Sequence, residues 1–274
     1  MLKLILTSFF FIIFTSAIAQ TYEKEYVTLF AYEVKQVDDF IDRFNGKDST
    51  LFRLYYKKHN SEKQLTREQL IKSLFNGEGK NWNYNDINAF ISTVNNKDKP
   101  QFLNFFDNKW YAKLNCSVTW KGKPRTATLK LKVEKDENGG FKWIITGVNA
   151  KFLLSLLSKG DNKNYVSFKL PAPRDSTTSL DPSSNDTEFM NIDRVSSDKV
   201  NISNYFYKSD TYKDQLPLFV TECLNGHLVI DQVNSIHYYF DQIKGWSFEI
   251  KQYNRRTKNS GWLISSLVKV NAGE

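Results

Sequence analysis

The strongest constraint on the fold is a segment in which apolar and polar side chains alternate without interruption, from Trp110 to Trp120. A period of two occurs in a β-strand and not in a helix, because successive strand side chains point to opposite faces of a sheet. The segment therefore predicts a strand with one buried face and one polar face. The side chains expected on the buried face are Trp110, Ala112, Leu114, Cys116, Val118 and Trp120.

Two more strands are predicted directly after this one. The polar turn 121–124 leads into a segment in which Leu129, Leu131 and Val133 alternate with polar residues. A second turn, rich in Asn and Gly, separates that segment from a third apolar stretch at 141–148. Three strands joined by short polar turns favour an antiparallel meander with one face in solvent.

Helices are predicted before the meander. Thr66 and Gln69 have the spacing of a capping box at the start of one helix. Asn85 is expected to cap a later helix that buries Ile87, Phe90, Ile91 and Val94. The first helix is predicted from apolar residues spaced three and four apart, which are Val27, Phe30, Val34, Val37, Ile41 and Phe44. Helices followed by a meander indicate an α+β fold in which helices pack on a curved antiparallel sheet.

The second half of the chain repeats this order. A segment at 170–184 rich in Pro, Ser and Thr predicts an exposed linker. Short helices and four strands, at 227–233, 235–243, 246–254 and 261–269, are expected after it. The sequence thus predicts a first domain at 20–169 and a second, smaller one at 185–274. Both meanders end in Val-Asn-Ala, at 148–150 and 270–272, which suggests a duplicated unit.

The order of an N-terminal helix, further short helices and a curved meander resembles the NTF2-like cone fold. The resemblance covers about 25–150 and, more loosely, 184–272, so it implies two tandem units of that type. The superfamily includes steroid isomerases, dehydratases and many non-enzymatic binding or assembly modules. The resemblance therefore implies a fold without selecting a function.

The first residues predict export. Lys3 precedes an apolar stretch from Leu4 to Phe14, and Ala17-Ile18-Ala19 has the small-x-small pattern of a signal-peptidase site. We expect a signal peptide at 1–19, a mature chain beginning at Gln20, and a periplasmic or extracellular location. The alternative, an uncleaved anchor, is disfavoured because about 20 apolar residues are needed to span a bilayer. No transmembrane segment is expected after signal removal.

The chain has a formal net charge of +8. Its lysines are scattered rather than clustered, which disfavours nucleic acid as a partner. A basic exported protein is compatible with anionic envelope surfaces or acidic glycans. An oxidising compartment permits a disulfide between Cys116 and Cys223, while the position of Cys116 in the predicted strand favours a buried thiol. Both alternatives remain open.

The sequence contains no catalytic motif. Its three histidines have no Cys, His or carboxylate partners at metal-ligand spacing, so no metal or cofactor is predicted. The core-facing positions of the first predicted sheet are apolar and lack a carboxylate for acid–base chemistry. Five residues are nevertheless candidates for ligand binding: Trp82 and Tyr84 in a polar loop, and His237, Tyr239 and Asp241 on one strand face. A half-exposed sheet face explains the second group equally well.

These observations favour an exported, non-catalytic binding or assembly module of the periplasm or cell envelope. Its partner is expected to be an envelope protein, a glycan or a small apolar ligand. The alternative function is a small-molecule lyase, isomerase or hydrolase with a pocket in the second domain. An enzyme would require ionisable groups that converge in a deep pocket, whereas a binding module requires a filled fold or an exposed patch.

Overall fold

The structure is a computed structural model that describes residues 32–47, 58, 65–79, 81–135, 140–156, 165–166, 169–175, 177–180, 191–209, 211–212 and 215–270. The signal peptide predicted at 1–19 lies outside these ranges. The chain divides into two compact units, one of residues 1–101 and 252–265 and the other of residues 102–251 and 266–274. The domain boundary predicted at 170–184 stays a prediction.

The described residues of the first unit include the helices α1 (Val37–Phe44), α2 (Arg67–Ser73) and α3 (Tyr84–Val94). The capping box predicted at Thr66 and Gln69 is confirmed, since the side chain of each accepts a hydrogen bond from the backbone of the other. The helix predicted to begin near Asn85 is confirmed, but Asn83 provides its N-cap. Its four predicted apolar residues are buried.

The helix predicted to span Val34 is wrong at that residue. Val34 forms a parallel β-bridge with Gly261, and helix α1 begins only at Val37. The Val34 amide donates to the Ser260 carbonyl at 3.2 Å, and its carbonyl accepts from the Trp262 amide at 2.7 Å. Burial of Val34 satisfies the spacing pattern without a helix, because the pattern reports only which side chains face the core.

Eight strands are present in the described chain: β1 (Trp110–Trp120), β2 (Lys123–Lys135), β3 (Phe141–Asn149), β4 (Tyr165–Val166), β5 (Thr211–Tyr212), β6 (Leu228–Phe240), β7 (Trp246–Tyr253) and β8 (Gly261–Lys269). Six of them form one antiparallel sheet in the order β3-β2-β1-β6-β7-β8. The first strands of the two predicted meanders, β1 and β6, are paired directly. The α+β class is therefore confirmed.

The alternation predicted for β1 is confirmed from Trp110 to Val118, whereas Trp120, also predicted on the buried face, is only partly buried at the end of the strand. Ala112, Leu114, Cys116 and Val118 are fully buried, while the residues between them are partly or wholly exposed. Strands β1 and β2 are joined by Lys121 and Gly122, which both have positive φ angles of 50° and 73°. Two such residues match the right-handed twist of the flanking strands. This turn fixes the register in which β2 pairs with β1.

The two strands predicted at 227–233 and 235–243 form the single strand β6. Its pairing with β1 shifts register twice, so that Asp231 and Asn234 have no backbone register partner on β1, although their side chains hydrogen-bond to Thr119 and Ser117. Each extra residue reverses the alternation of buried and exposed side chains, as a β-bulge does. The sequence pattern changes phase at these points, which explains why one strand was predicted as two.

The second unit contains helices α4 (Arg194–Ser197) and α5 (Leu216–Leu224), and short 3-10 turns at Lys151–Leu156 and Ile202–Tyr205. Gly226, which has a φ of +74°, follows the C-cap of α5 and terminates the helix as predicted. Most described residues of the predicted linker are exposed. Leu180 differs: it is buried, and its carbonyl accepts a hydrogen bond from the Trp143 amide at 2.9 Å.

An aromatic cluster fills the buried face of the sheet in this unit. The Trp110 ring is stacked on Phe240 at 5.1 Å and meets Trp143 edge-on at the same distance. Phe248 extends the stack beyond Phe240 at 5.0 Å. The filled face matches the apolar lining predicted for the first sheet. It leaves the opposite face of the same strands for interactions with solvent or a ligand.

Candidate functional site

The candidate site is the outward face of β1, β2, β6 and β7, here called the lysine–tyrosine face, formed by Tyr111, Lys113, Lys130, Lys132, His237, Tyr239, Glu249 and Lys251. Tyr111 and Tyr239 are directly opposite each other in the β1–β6 pairing. Their rings are stacked with centroids 5.0 Å apart and an angle of 12° between planes. The two stacked rings form an aromatic patch on an otherwise polar surface.

Two ammonium groups lie over this tyrosine pair. Lys113 Nζ is 4.5 Å from the centroid of the Tyr239 ring, and Lys130 Nζ is 4.1 Å from that of Tyr111. At such distances the negative ring face attracts the cation and restricts the lysine side chain. Burial lowers the pKa of Lys130 below its usual value, and the neighbouring charges of Lys132 and Lys113 lower it further. The tyrosines therefore position a cluster of cations.

Glu249 on β7 links three side chains of this face through hydrogen bonds and ion pairs. Its side chain is only 13% exposed and lies 2.9 Å from His237 Nδ1 and 3.3 Å from Lys251 Nζ. The Tyr239 hydroxyl donates to Glu249 Oε1 at 2.8 Å. Burial raises the pKa of Tyr239 above its usual value, and the hydrogen bond to Glu249 raises it further. Tyr239 is therefore a protonated hydrogen-bond donor at neutral pH.

His237 is placed between opposing charges. Burial lowers its pKa below the usual value, and Lys251 and Lys113 lower it further, while Glu249 acts in the opposite direction. The imidazole is therefore neutral at pH 7. The imidazole is one of the three partners of Glu249, together with Tyr239 and Lys251.

Asp241 lies just beyond the end of β6, on the side of the strand shared by His237 and Tyr239. It accepts a hydrogen bond from the Ser247 hydroxyl at 2.6 Å, and its amide donates to the Lys109 carbonyl at 2.8 Å. Asp241 also contributes to the raised pKa of Tyr111, after the larger effect of burial. The structure thus brings His237 and Tyr239 together around Glu249 and places Asp241 at the border of the site.

Trp82 and Tyr84 belong to the first unit. The Trp82 indole N–H donates to the Asn76 carbonyl at 2.6 Å, and its ring meets Phe75 edge-on at 5.2 Å. These contacts give Trp82 a role in anchoring the loop before α3. Tyr84, the first residue of α3, is 73% exposed. It is the more accessible of the two predicted loop aromatics.

Sequence reasoning missed Tyr111, Lys113, Lys130 and Glu249. The alternation in β1 does predict that Tyr111 and Lys113 lie on the polar face, but it does not identify them as part of a site. Their contact with Tyr239 and Glu249 depends on the pairing of β1 with β6 and of β6 with β7. Strands far apart in sequence can pair in many registers, and one-residue shifts change every neighbour.

The cysteines do not form a disulfide. Cys116 and Cys223 are both free and buried, which resolves the two alternatives left open by the sequence. Burial raises the pKa of each thiol to about 12. A thiol needs its deprotonated form to act as a nucleophile or a metal ligand. Neither residue has the properties of a catalytic cysteine.

Among the residues that the structure describes, no group of three or more His, Cys, Asp or Glu side chains is arranged to hold a metal ion. No helix in the same part of the chain combines the length and apolar character needed to cross a membrane.

Comparisons with protein-family models, with curated proteins and with solved structures find no match to this chain.

Proposed function

We propose that this chain is an exported, non-catalytic binding module of the periplasm or cell envelope, and that its lysine–tyrosine face binds an acidic glycan. The observation that carries the proposal is a pair of like charges: Lys113 and Lys130 are direct cross-strand partners on β1 and β2. Like charges in directly opposite positions destabilise a sheet. An anionic ligand bound between them would remove this repulsion.

The ammonium groups are available for such a ligand. Ion pairs in the described ranges include those of Lys72, Lys121, Lys251 and Arg255, and Lys113, Lys130 and Lys132 are not among their members. Of the two nearby carboxylates, Glu249 interacts with Lys251, His237 and Tyr239, and Asp241 acts on Lys130 from the border of the site. The four lysines of the face outnumber these two carboxylates, so the cluster has an excess of positive charge, and the two tyrosine rings hold Lys113 and Lys130 in place.

Neutral polar side chains continue this face along β1 and β2. Asn115 is opposite Thr128, and Ser117 is opposite Thr126 in the same register. Amide and hydroxyl groups of this kind hydrogen-bond to sugar hydroxyls as donors and as acceptors. Ammonium groups form charge-assisted hydrogen bonds with carboxylates. An acidic glycan contains both classes of group, so it fits the face better than a neutral sugar.

The symmetry of the sheet supports a finer proposal about the fold. Each half of the chain provides a three-stranded meander, and the order β3-β2-β1-β6-β7-β8 joins them through their first strands. We infer that the halves are tandem, duplicated NTF2-like units whose meanders share one sheet. Solved structures of relatives in which each half occurs alone would test this origin.

Calorimetric titration tests the proposed function. The mature chain from Gln20 is titrated with oligomers of galacturonic acid and, for comparison, with uncharged galactose oligomers. We expect the acidic oligomers alone to bind, with an affinity that falls as salt increases. The double variant Lys113→Gln/Lys130→Gln is expected to lower that affinity roughly tenfold or more, since each charge-assisted hydrogen bond contributes about 1.5–3 kcal/mol.

Lys135→Gln is the matched control, because Lys135 is an exposed lysine at the far end of the same strand β2. It is expected to bind as the original chain does. Equal binding of neutral and acidic oligomers, or unchanged affinity in the double variant, would contradict the proposal. The export component is tested separately by mass spectrometry of protein from intact cells, where a chain beginning at Met1 would contradict it.

One observation favours the alternative function of an enzyme. His237 Nδ1 lies 2.9 Å from Glu249 Oε1, and a carboxylate in this position can orient an imidazole as a general base. A lyase, isomerase or hydrolase would require this pair for turnover. Conversion of a bound oligomer that is abolished by His237→Gln would favour the enzyme, whereas binding without conversion favours the binding module.

A further inference from the structure

Basic side chains on four neighbouring strands form a single row across the lysine–tyrosine face, here called the basic row. In order from β2 through β1 and β6 to β7, its members are Lys130, Lys113, His237 and Lys251, each the direct cross-strand partner of the next. Direct partners lie on the same side of a sheet. Neighbouring strands are about 4.8 Å apart, so the basic row extends about 14 Å at right angles to the strands.

Neutral polar side chains form a second row beside the basic row. Thr128 is opposite Asn115, and Asn115 is opposite Ser235. Each of them lies two residues from the member of the basic row on its own strand, so the two rows share one face of the sheet. The distance between the rows is about 7 Å, the length of two strand residues. Groups that bind carboxylates and groups that bind hydroxyls are therefore arranged in two parallel lines that cross the strands.

The basic row has cations towards both ends and a neutral imidazole between them. His237 Nδ1 lies 2.9 Å from Glu249 Oε1, and 32% of the imidazole side chain is exposed. With Nδ1–H donating to Glu249, Nε2 of the neutral ring is an acceptor, which suits a hydroxyl group rather than a carboxylate.

Lys251 can bind an anion even though it already has a partner. Its ammonium nitrogen is 3.3 Å from Glu249 Oε2, and 37% of its side chain is exposed. An ammonium group has three N–H donors, so two remain after one is directed to Glu249. Lys251 is therefore able to donate charge-assisted hydrogen bonds to a ligand carboxylate.

We propose that the acidic glycan lies with its chain across the strands, and that Lys251 binds a second carboxylate in addition to the one between Lys113 and Lys130. This inference rests on the proposed function. Lys113 and Lys251 are two strand spacings apart, or about 10 Å. A sugar residue is about as long as one strand spacing, so the two carboxylates belong to sugar residues separated by a third. The hydroxyls of the middle residue then lie near His237 and the polar row, and three sugar residues are the minimum for full contact.

The distribution of charge favours this direction over one along the strands. Along β2 in one direction, the same face continues from Lys130 to Thr128 and Thr126, which are neutral. In the other direction it continues to Lys132, whose ammonium already donates to the Asn108 carbonyl at 3.3 Å. A ligand along β2 would depend on Lys132 for its second charged contact, whereas a ligand across the strands depends on Lys251.

Calorimetric titration with galacturonic acid oligomers of one to six residues tests the inference. We expect the affinity of the original chain to rise by roughly tenfold or more between one residue and three, because the second carboxylate then reaches Lys251 within the same complex. Lys251→Gln is expected to abolish this increase and to leave the affinity for the single residue nearly unchanged. Lys132→Gln is the matched control on the same face. It is expected to weaken all oligomers by a similar factor and to keep the increase with length.

Circular dichroism verifies that each variant is folded, and the outcomes separate this inference from the proposed function. Retention of the increase in Lys251→Gln, or its loss in Lys132→Gln, overturns the binding direction while acidic oligomers still bind. An affinity of the original chain that does not depend on length overturns it as well. Absence of binding by every oligomer overturns the proposed function together with the inference.

Discussion

The carbonyl oxygen of Val34 occupies the space that a side chain on Gly261 would require. A Cβ built on Gly261 would lie well within van der Waals contact of Val34 backbone atoms. Gly261 also has a φ of +83°, in the region that favours glycine. The close approach is maintained by the hydrogen bond from the Trp262 amide to the Val34 carbonyl. Position 261 therefore requires glycine for two independent reasons.

The first prediction concerns this contact. Gly261→Ala is expected to lower the free energy of unfolding by about 3 kcal/mol or more, because the backbone clash cannot be relieved by rotating a side chain. Gly122→Ala is the matched control, since Gly122 has a φ of +73° but nothing within 4 Å of a built Cβ. The control is expected to lose only about 1–2 kcal/mol. Urea unfolding measures both, and equal losses would show that φ alone accounts for the effect.

The second prediction concerns the free cysteines. With a pKa of about 12, the buried thiols of Cys116 and Cys223 are expected to resist iodoacetamide in the native protein at pH 8. Both are expected to react fully in denaturant. Mass spectrometry counts the alkylated thiols in each condition. Rapid labelling of either residue without denaturant would contradict the described burial.

The pattern of residues in the sequence was sufficient for features that depend on local structure. The Thr66–Gln69 capping box and the alternation in β1 follow from spacing within one element, and both were predicted. The bridge between Val34 and Gly261 was missed because it joins segments that are far apart in sequence. The same reason applies to the site: His237 and Tyr239 were predicted to share a face, but Glu249 was found only from the pairing of β6 with β7.

The third prediction concerns pH. The folded protein lowers the pKa of His237 below that of the unfolded chain, about 6.5. Between the two values the unfolded state binds more protons, so the free energy of unfolding rises with pH. Stability is therefore expected to be fully present above pH 6.5 and to be lost as pH falls through the folded pKa.

His237→Gln tests this dependence, because glutamine remains polar without titrating. Urea unfolding at pH 7.5 and at pH 5 is expected to show a smaller loss of stability at low pH in the variant than in the original chain. His227→Gln serves as the control, since it removes an imidazole elsewhere in the same unit. If His237→Gln keeps the full loss on acidification, other groups account for the pH dependence.

The last prediction connects stability to the proposed ligand. Lys113→Glu places a carboxylate directly opposite Lys130 and changes a repulsive cross-strand pair into an attractive one. Removal of the repulsion contributes about 0.2–1 kcal/mol to the free energy of unfolding, but the contact of the Lys113 ammonium with the Tyr239 ring, of similar size, is lost. Stability is therefore expected to stay within about 1 kcal/mol of the original, while the affinity for acidic oligomers falls. A loss of binding at nearly unchanged stability indicates a residue retained for function. Lys135→Glu, at an exposed position on the same strand, is expected to change neither quantity appreciably. If Lys113→Glu instead lowers stability and leaves binding intact, then the Lys113–Lys130 pair has a structural role and the acidic ligand must bind elsewhere.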